Sequence, residues 1–239
     1  MPAITSARTR LLALLVLWLI VGPSRSAAQV PPDQAAEMIL TSARRAYNEK
    51  NYPFAAQRFK EFLDKYGNHK EAPSARYGLA LALLDGPERD YPRALDALQP
   101  LAGAKDFGDH PFVLYYLGVA QRGLGVRELA QAEAKPQEAP QHRNAANGRF
   151  DEAARQFAAA VTAFTARVKD AVPAGAKELP VDLEWAARAR CDQAEMLLRT
   201  RRTKEAHATA APFVKDDLLK KSRYRTLGLY YHGTASFLL

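Results

Sequence analysis

The chain has 239 residues, enough for one sizeable folded body, and its 34 lysines and arginines against 26 acidic residues leave a formal charge of +8. That excess is spread thinly: the densest clusters, Arg199-Thr200-Arg201-Arg202 and Lys220-Lys221, read as solvated helix ends, which disfavours a nucleic-acid partner. A single cysteine, Cys191, excludes an internal disulfide, so side-chain packing has to carry the stability.

Residues 1–28 read as a secretory signal peptide. Arg8 and Arg10 supply the positive region, Leu11 to Val21 is an unbroken apolar run of 11 residues, and Ser26-Ala27-Ala28 offers small side chains for cleavage. The run is shorter than the roughly 20 residues a spanning helix needs. An uncleaved anchor is the alternative. Cleavage removes Arg8, Arg10 and Arg25, which lowers the charge from +8 to +5 over about 211 residues. No cysteine lies at the site to take a lipid, and no later segment is apolar enough to span a membrane. The expected location is the periplasm or cell envelope, with no stable membrane span after cleavage.

A first helix is expected from about Gln34 to Lys50, with Ile39, Ser42, Ala43 and Ala46 as its buried stripe. Asn51 and Pro53 mark a turn and the start of a second helix that runs to Tyr66, burying Ala55, Phe59, Phe62 and Leu63. Gly67-Asn68 stops it. The next pair covers Pro73 to Leu84 and Pro92 to Leu101, broken by Asp85-Gly86-Pro87, with Ala94, Leu98 and Leu101 in the repeated places. A third pair starts at Pro111 and carries an insertion at about 125–147. The insertion is rich in Ala, Gln and Glu, and the first helix is expected to extend into it before a loop. The second helix is expected to resume at Phe150, with Ala153, Phe157 and Ala160 inward. After a Pro/Gly-bearing connection at 172–180, a fourth pair runs from Asp182 to Arg199 and from Lys204 to Val214, interrupted by Pro212. A last helix, Tyr224 to Leu239, leaves Leu227, Tyr230, Tyr231, Phe237 and Leu238 uncovered. That suggests either an N-terminal piece of a longer protein or a helix that caps the fourth pair or packs on a partner.

One phrase recurs along this path: Asn51-Tyr52-Pro53-Phe54-Ala55, Asp90-Tyr91-Pro92-Arg93-Ala94, Gly148-Arg149-Phe150-Asp151-Glu152-Ala153 and, more faintly, Thr203-Lys204-Glu205-Ala206. Such self-similarity marks a helical repeat array. The phrases resemble tetratricopeptide repeats, whose unit is two antiparallel helices with A-x3-F in the second. Ala55-x3-Phe59 and Ala153-x3-Phe157 match, Ala94-x3-Leu98 varies the pattern, and Leu117-Gly118 matches the first-helix pair. No tryptophan occupies its usual place. The stretch from Phe59 to Asn68, followed by Ala72-Pro73, is similar in style to bacterial envelope repeat proteins of the Tol-Pal and outer-membrane assembly kinds. The lipid-anchor cysteine of the assembly lipoproteins is missing here.

The resemblance implies an all-α, tetratricopeptide-like α-solenoid of antiparallel helix pairs, preceded by the signal peptide. Its units are expected at 34–105 (two), 111–171 (one) and 181–239 (one, plus the first helix of a fifth). In such a stack the first helices line a concave face. Helical spacing places Leu40, Arg44 and Tyr47, then Tyr77, Leu81 and Leu84, then Tyr115, Val119 and Arg122, then Arg188, Cys191, Glu195 and Arg199, and finally Tyr230 and Phe237 beside the buried stripe. Arg44, Tyr47, Tyr77, Tyr115, Arg122, Arg188 and Tyr230 make the candidate protein-binding groove, since Tyr and Arg are enriched at binding hot spots. The partner expected is a protein or peptide, with some acidic residues. Equally, these tyrosines could pack between neighbouring units.

No phosphate-binding glycine loop, H-E-x-x-H motif, cysteine pair or G-x-S-x-G motif is present in the sequence. Neither catalytic residues, cofactor nor metal is therefore expected. The expectation is an exported interaction scaffold and not an enzyme. A structural spacer within a longer repeat protein is the alternative.

Overall fold

The computed structural model describes residues 31–168, 172 and 178–239. The signal peptide read at 1–28 lies outside them, as do most of the connection at 172–180 and the last residues of the third unit. The chain forms two compact units, 1–37 and 38–239. Of the first, only the opening of helix α1 (Pro32–Asn48) is described. The packing below belongs to the second.

Every regular element among the described residues is helical. After α1 come α2 (Tyr52–Tyr66), α3 (Ala72–Asp85) and α4 (Tyr91–Leu98), which continues into a 3-10 turn at Gln99–Leu101. The long helices α5 (His110–Ala134), α6 (Ala139–Arg167) and α7 (Val181–Arg199) follow. The short α8 (Thr203–Ala210) and α9 (Pro212–Lys215), a 3-10 turn at Leu219–Lys221, and α10 (Arg225–Leu238) close the chain. From α2 to α8 each helix packs against the next in sequence, and α10 packs on α8. α3 also touches α5, and α7 touches α10.

The recurring phrase acts as a helix start. Asn51 and Asp90 each accept a hydrogen bond on the side-chain oxygen from a backbone N–H three residues on, Phe54 at 3.4 Å and Arg93 at 3.2 Å. Pro53 and Pro92 then occupy the first helical turn, where a missing N–H does no harm. The residue just before the cap has left-handed backbone in three of these turns: Lys50 at φ 61°, Arg89 at φ 46° and Arg201 at φ 59°. In two of them the following N–H reaches back five residues, Asn51 to the Ala46 carbonyl and Arg202 to that of Leu197. That closes the preceding helix as a Schellman turn does, with a basic residue where glycine is usual.

The third copy of the phrase behaves differently. Gly148-Arg149-Phe150 lies inside α6, which begins at Ala139. The expected loop in the insertion shrinks to 135–138, and the second helix does not resume at Phe150. The Ala, Gln and Glu residues of the insertion are strong helix formers, so both helices lengthen through it. Pro140 sits in the first turn of α6, where it favours initiation. The hairpin gains the buried residues Ala132, Ala139 and Ala146.

The core follows the repeated small and aromatic positions. Ala55, Phe59 and Phe62 are buried, as are Ala94, Leu98 and Leu101, Ala153, Phe157 and Ala160, and Ala206 with Ala210. Leu63 is only half-buried. Phenylalanine rings press close against helical glycines: Phe59 on Gly78, Phe157 on Gly118 and Phe213 on Gly228. A side chain at any of these glycines would meet a ring, so the helices close to a distance that only glycine permits.

Candidate functional site

Side chains of α5 and α7 converge on Asp192. The Tyr115 hydroxyl donates to Asp192 Oδ2 at 2.7 Å, and the Arg122 guanidinium donates to Oδ1 at 2.9 Å. Glu195, one turn on, stands 3.6 Å from Arg122 and takes Arg199 at 2.8 Å. Asp192 follows Arg188 by four residues, so helical spacing places both on one face of α7. The Arg188 guanidinium lies over the Tyr115 ring at 5.2 Å and the Trp185 ring at 5.1 Å. Among the described residues no carboxylate lies within ion-pairing distance of it.

Tyr115 is 1% exposed. Its ring meets Trp185 edge-on at 5.2 Å and Phe157 at 5.4 Å. Tyr115 therefore belongs to the packing between α5, α6 and α7. Tyr116 is half-buried, with its ring 6.2 Å from that of Tyr77 on α3, and Tyr77 also meets Phe107 at 6.1 Å. On α1, Tyr47 donates its hydroxyl to Asp85 Oδ2 at 2.6 Å and lies edge-on to Tyr52. Each phenol is held above its usual range, first by burial; the Asp85 carboxylate adds to this for Tyr47 and Tyr116, and for Tyr77 the repulsion that a second ionised phenol at Tyr116 would bring, followed by the Asp109 carboxylate, adds to it. All three stay protonated and able to donate near neutral pH.

Arg44 is bound to Glu71 at 2.9 Å, at the N-terminal end of α3. Tyr230 on α10 is 63% exposed and edge-on to Tyr231. Leu40 and Cys191, read as groove-facing, are buried. Burial first, and Asp192 second, push the Cys191 thiol up to about 12, which makes it a poor nucleophile.

The structure thus brings Tyr115 and Arg122 onto one carboxylate with Arg188 over the Tyr115 ring, sets Tyr77 beside Tyr116, and holds Tyr47 on Asp85. Asp85 and Arg122 also line a cleft of about 460 Å³ between α3, α5 and α7, together with Leu84, Val119, Glu195 and Arg199. Asp85, Tyr116, Trp185 and Asp192 were not anticipated. Asp192 could have been found from its four-residue offset from Arg188; Tyr116 differs from Tyr115 by a single step of register that spacing alone does not resolve.

The side chains present phenol donors, ring surface and the Arg188 guanidinium, which pairs with no carboxylate among the described residues. Among the described residues no three metal-ligating side chains come together, and no helix is long and apolar enough to cross a membrane. No protein-family model matches this chain, and no curated protein matches it in sequence.

Proposed function

We propose that this chain is an exported helical-repeat scaffold of the tetratricopeptide kind, working in the bacterial cell envelope and capturing a protein or peptide on the concave side of its helix pairs. The observation that carries the reading is the Tyr77–Tyr116 ring contact, continued through Tyr115 to the Arg188 guanidinium, which pairs with no carboxylate among the described residues. Rigid amphipathic rings beside a preordered guanidinium suit an extended or helical segment with some acidic residues. The recurring left-handed turns at Lys50, Arg89 and Arg201 support the repeat reading, since they reverse the chain in similar ways. The signal-like residues 1–28 support export.

The test is a pull-down from envelope extract with the mature chain as bait, beside a Tyr77→Ala/Tyr116→Ala variant shown to fold. A partner recovered by the first and lost by the second supports the scaffold. A structural spacer is the second reading, favoured by the internal engagement of Arg44, Tyr47, Tyr115 and Arg122 by Glu71, Asp85 and Asp192. Equal recovery by both baits, or none, supports that spacer.

A further inference from the structure

Helix α10 is seated by few residues. It buries Gly228 and Ala235, with Gly228 lying against the Phe213 ring. Beside that contact the imidazoles of His207 on α8 and His232 on α10 face each other, 4.3 Å between ring centroids and 34° from parallel. Both residues are half-buried. Two neutral imidazoles at that separation stack. Two imidazolium ions repel, and partial burial screens the repulsion poorly.

The charged groups acting on His232 are His207 from α8 and Lys215 from α9, and both oppose a second positive charge. Elsewhere on α8, Lys204 is exposed and Glu205 is engaged by Arg202. The carboxylates that α7 presents, Asp192 and Glu195, act on the neighbouring Tyr231. Arg225, in the first turn of α10, is exposed. Among the described residues no carboxylate is ion-paired with either imidazole.

We propose that His207 and His232 form a proton-sensitive latch that holds α10 on α8 at neutral pH and releases it in mildly acidic surroundings. Burial first, then His207 and Lys215, hold the His232 imidazole below its usual range. The docked state therefore binds protons less readily than the open one. Docking is complete above the ordinary histidine range near about 6.5. It weakens as pH falls through that range and levels off below the docked-state value.

The opening has a built-in reporter. Cys191, the one cysteine of the chain, clusters with Ala187 and Phe213 under Leu219, Tyr224 and Tyr231. Lifting α10 removes Tyr231 and loosens Tyr224, so the thiol becomes reachable. The full chain is labelled with 4,4′-dithiodipyridine, which reacts with thiols in acid, between about pH 7.5 and about pH 5. His232→Gln and His207→Gln are run beside it, and the wild-type rate is divided by each variant's rate at the same pH to cancel the chemistry of the reagent. The expected ratio rises as pH falls, by about tenfold for each unit by which docking depresses proton affinity. The double variant His207→Lys/His232→Lys, which carries two fixed like charges at the contact, is expected to label fast at every pH. A flat ratio against both glutamine variants, or a double-lysine chain labelled as slowly as the wild type at neutral pH, overturns the latch.

Discussion

The phenol of Tyr115 and the carboxylate of Asp192 join α5 to α7 through a 2.7 Å hydrogen bond at a nearly dry site, with Arg122 on the other carboxylate oxygen. The pair separates two contributions of one side chain. Tyr115→Phe keeps the ring against Trp185 and Phe157 and removes only the donor, and a loss of about 1–2 kcal/mol is expected. Tyr115→Ala also empties the ring's volume, and a loss of about 3–5 kcal/mol is expected. Urea denaturation of both variants checks the order. An alanine variant within about 1 kcal/mol of wild type would show the ring to be dispensable to the core.

Gly118 and Phe157 make a second test of how α5 closes on α6. An ideal Cβ at Gly118 would stand 2.7 Å from the Phe157 ring, which is fully buried and has no room to withdraw. Gly118→Ala is expected to destabilise by about 1–3 kcal/mol despite the better helix propensity of alanine. Phe157→Leu in the same chain should recover part of that loss, because the two changes share one contact. Strictly additive effects in thermal unfolding would show that the ring does not set the helix spacing.

These two contacts also show what could be read from residue order. Ala153-x3-Phe157 and Leu117-Gly118 were legible as inward positions, because spacing of three and four fixes the face of a helix. The helices before and after the insertion were legible to within a few residues, since Asn51, Asp90 and the nearby prolines mark starts whatever they pack against. The insertion was not. Pro136 and Pro140 suggested a loop, yet the alanine-rich flanks lengthen both helices until four residues remain between them at 135–138. The Tyr115 and Tyr116 pair was not legible either, because adjacent residues on a helix differ by about 100° and the rotation of α5 is set by the Trp185 and Asp192 it meets on α7. Long-range partners of this kind leave no local signature.

The left-handed turns carry a prediction about stability rather than binding. Lys50 and Arg201 hold positive φ at the ends of α1 and α7, where a Cβ is strained and glycine is not. Lys50→Gly and Arg201→Gly are each expected to stabilise by about 0.5–1 kcal/mol, the relief of strain exceeding the extra freedom of the unfolded chain. Chemical denaturation of the single and double variants checks the sign and the additivity expected of distant sites. Destabilisation by both would mean that the basic side chains, not the backbone, fix these turns.

Cys191 gives the last prediction its pH axis. Its thiol lies beneath α10, 1% exposed, and burial followed by the Asp192 charge pushes it up to about 12. An unfolded cysteine ionises near about 8.5. The folded state therefore holds its proton more tightly, and the contribution to stability is complete below the unfolded value and lost as pH rises toward the folded one. The slope from this one group approaches about 1.4 kcal/mol per pH unit in that window. Tyr77, Tyr115 and Tyr231 are raised as well and push in the same direction, so wild type alone does not isolate the thiol. The informative quantity is the difference between wild type and Cys191→Ala, measured by urea denaturation from about pH 7.5 to about pH 10. Below the window the difference should be constant and reflect packing alone; above it, wild type should lose stability faster than the variant. Parallel curves throughout would show that Cys191 meets solvent in the folded chain and that α10 does not seal it.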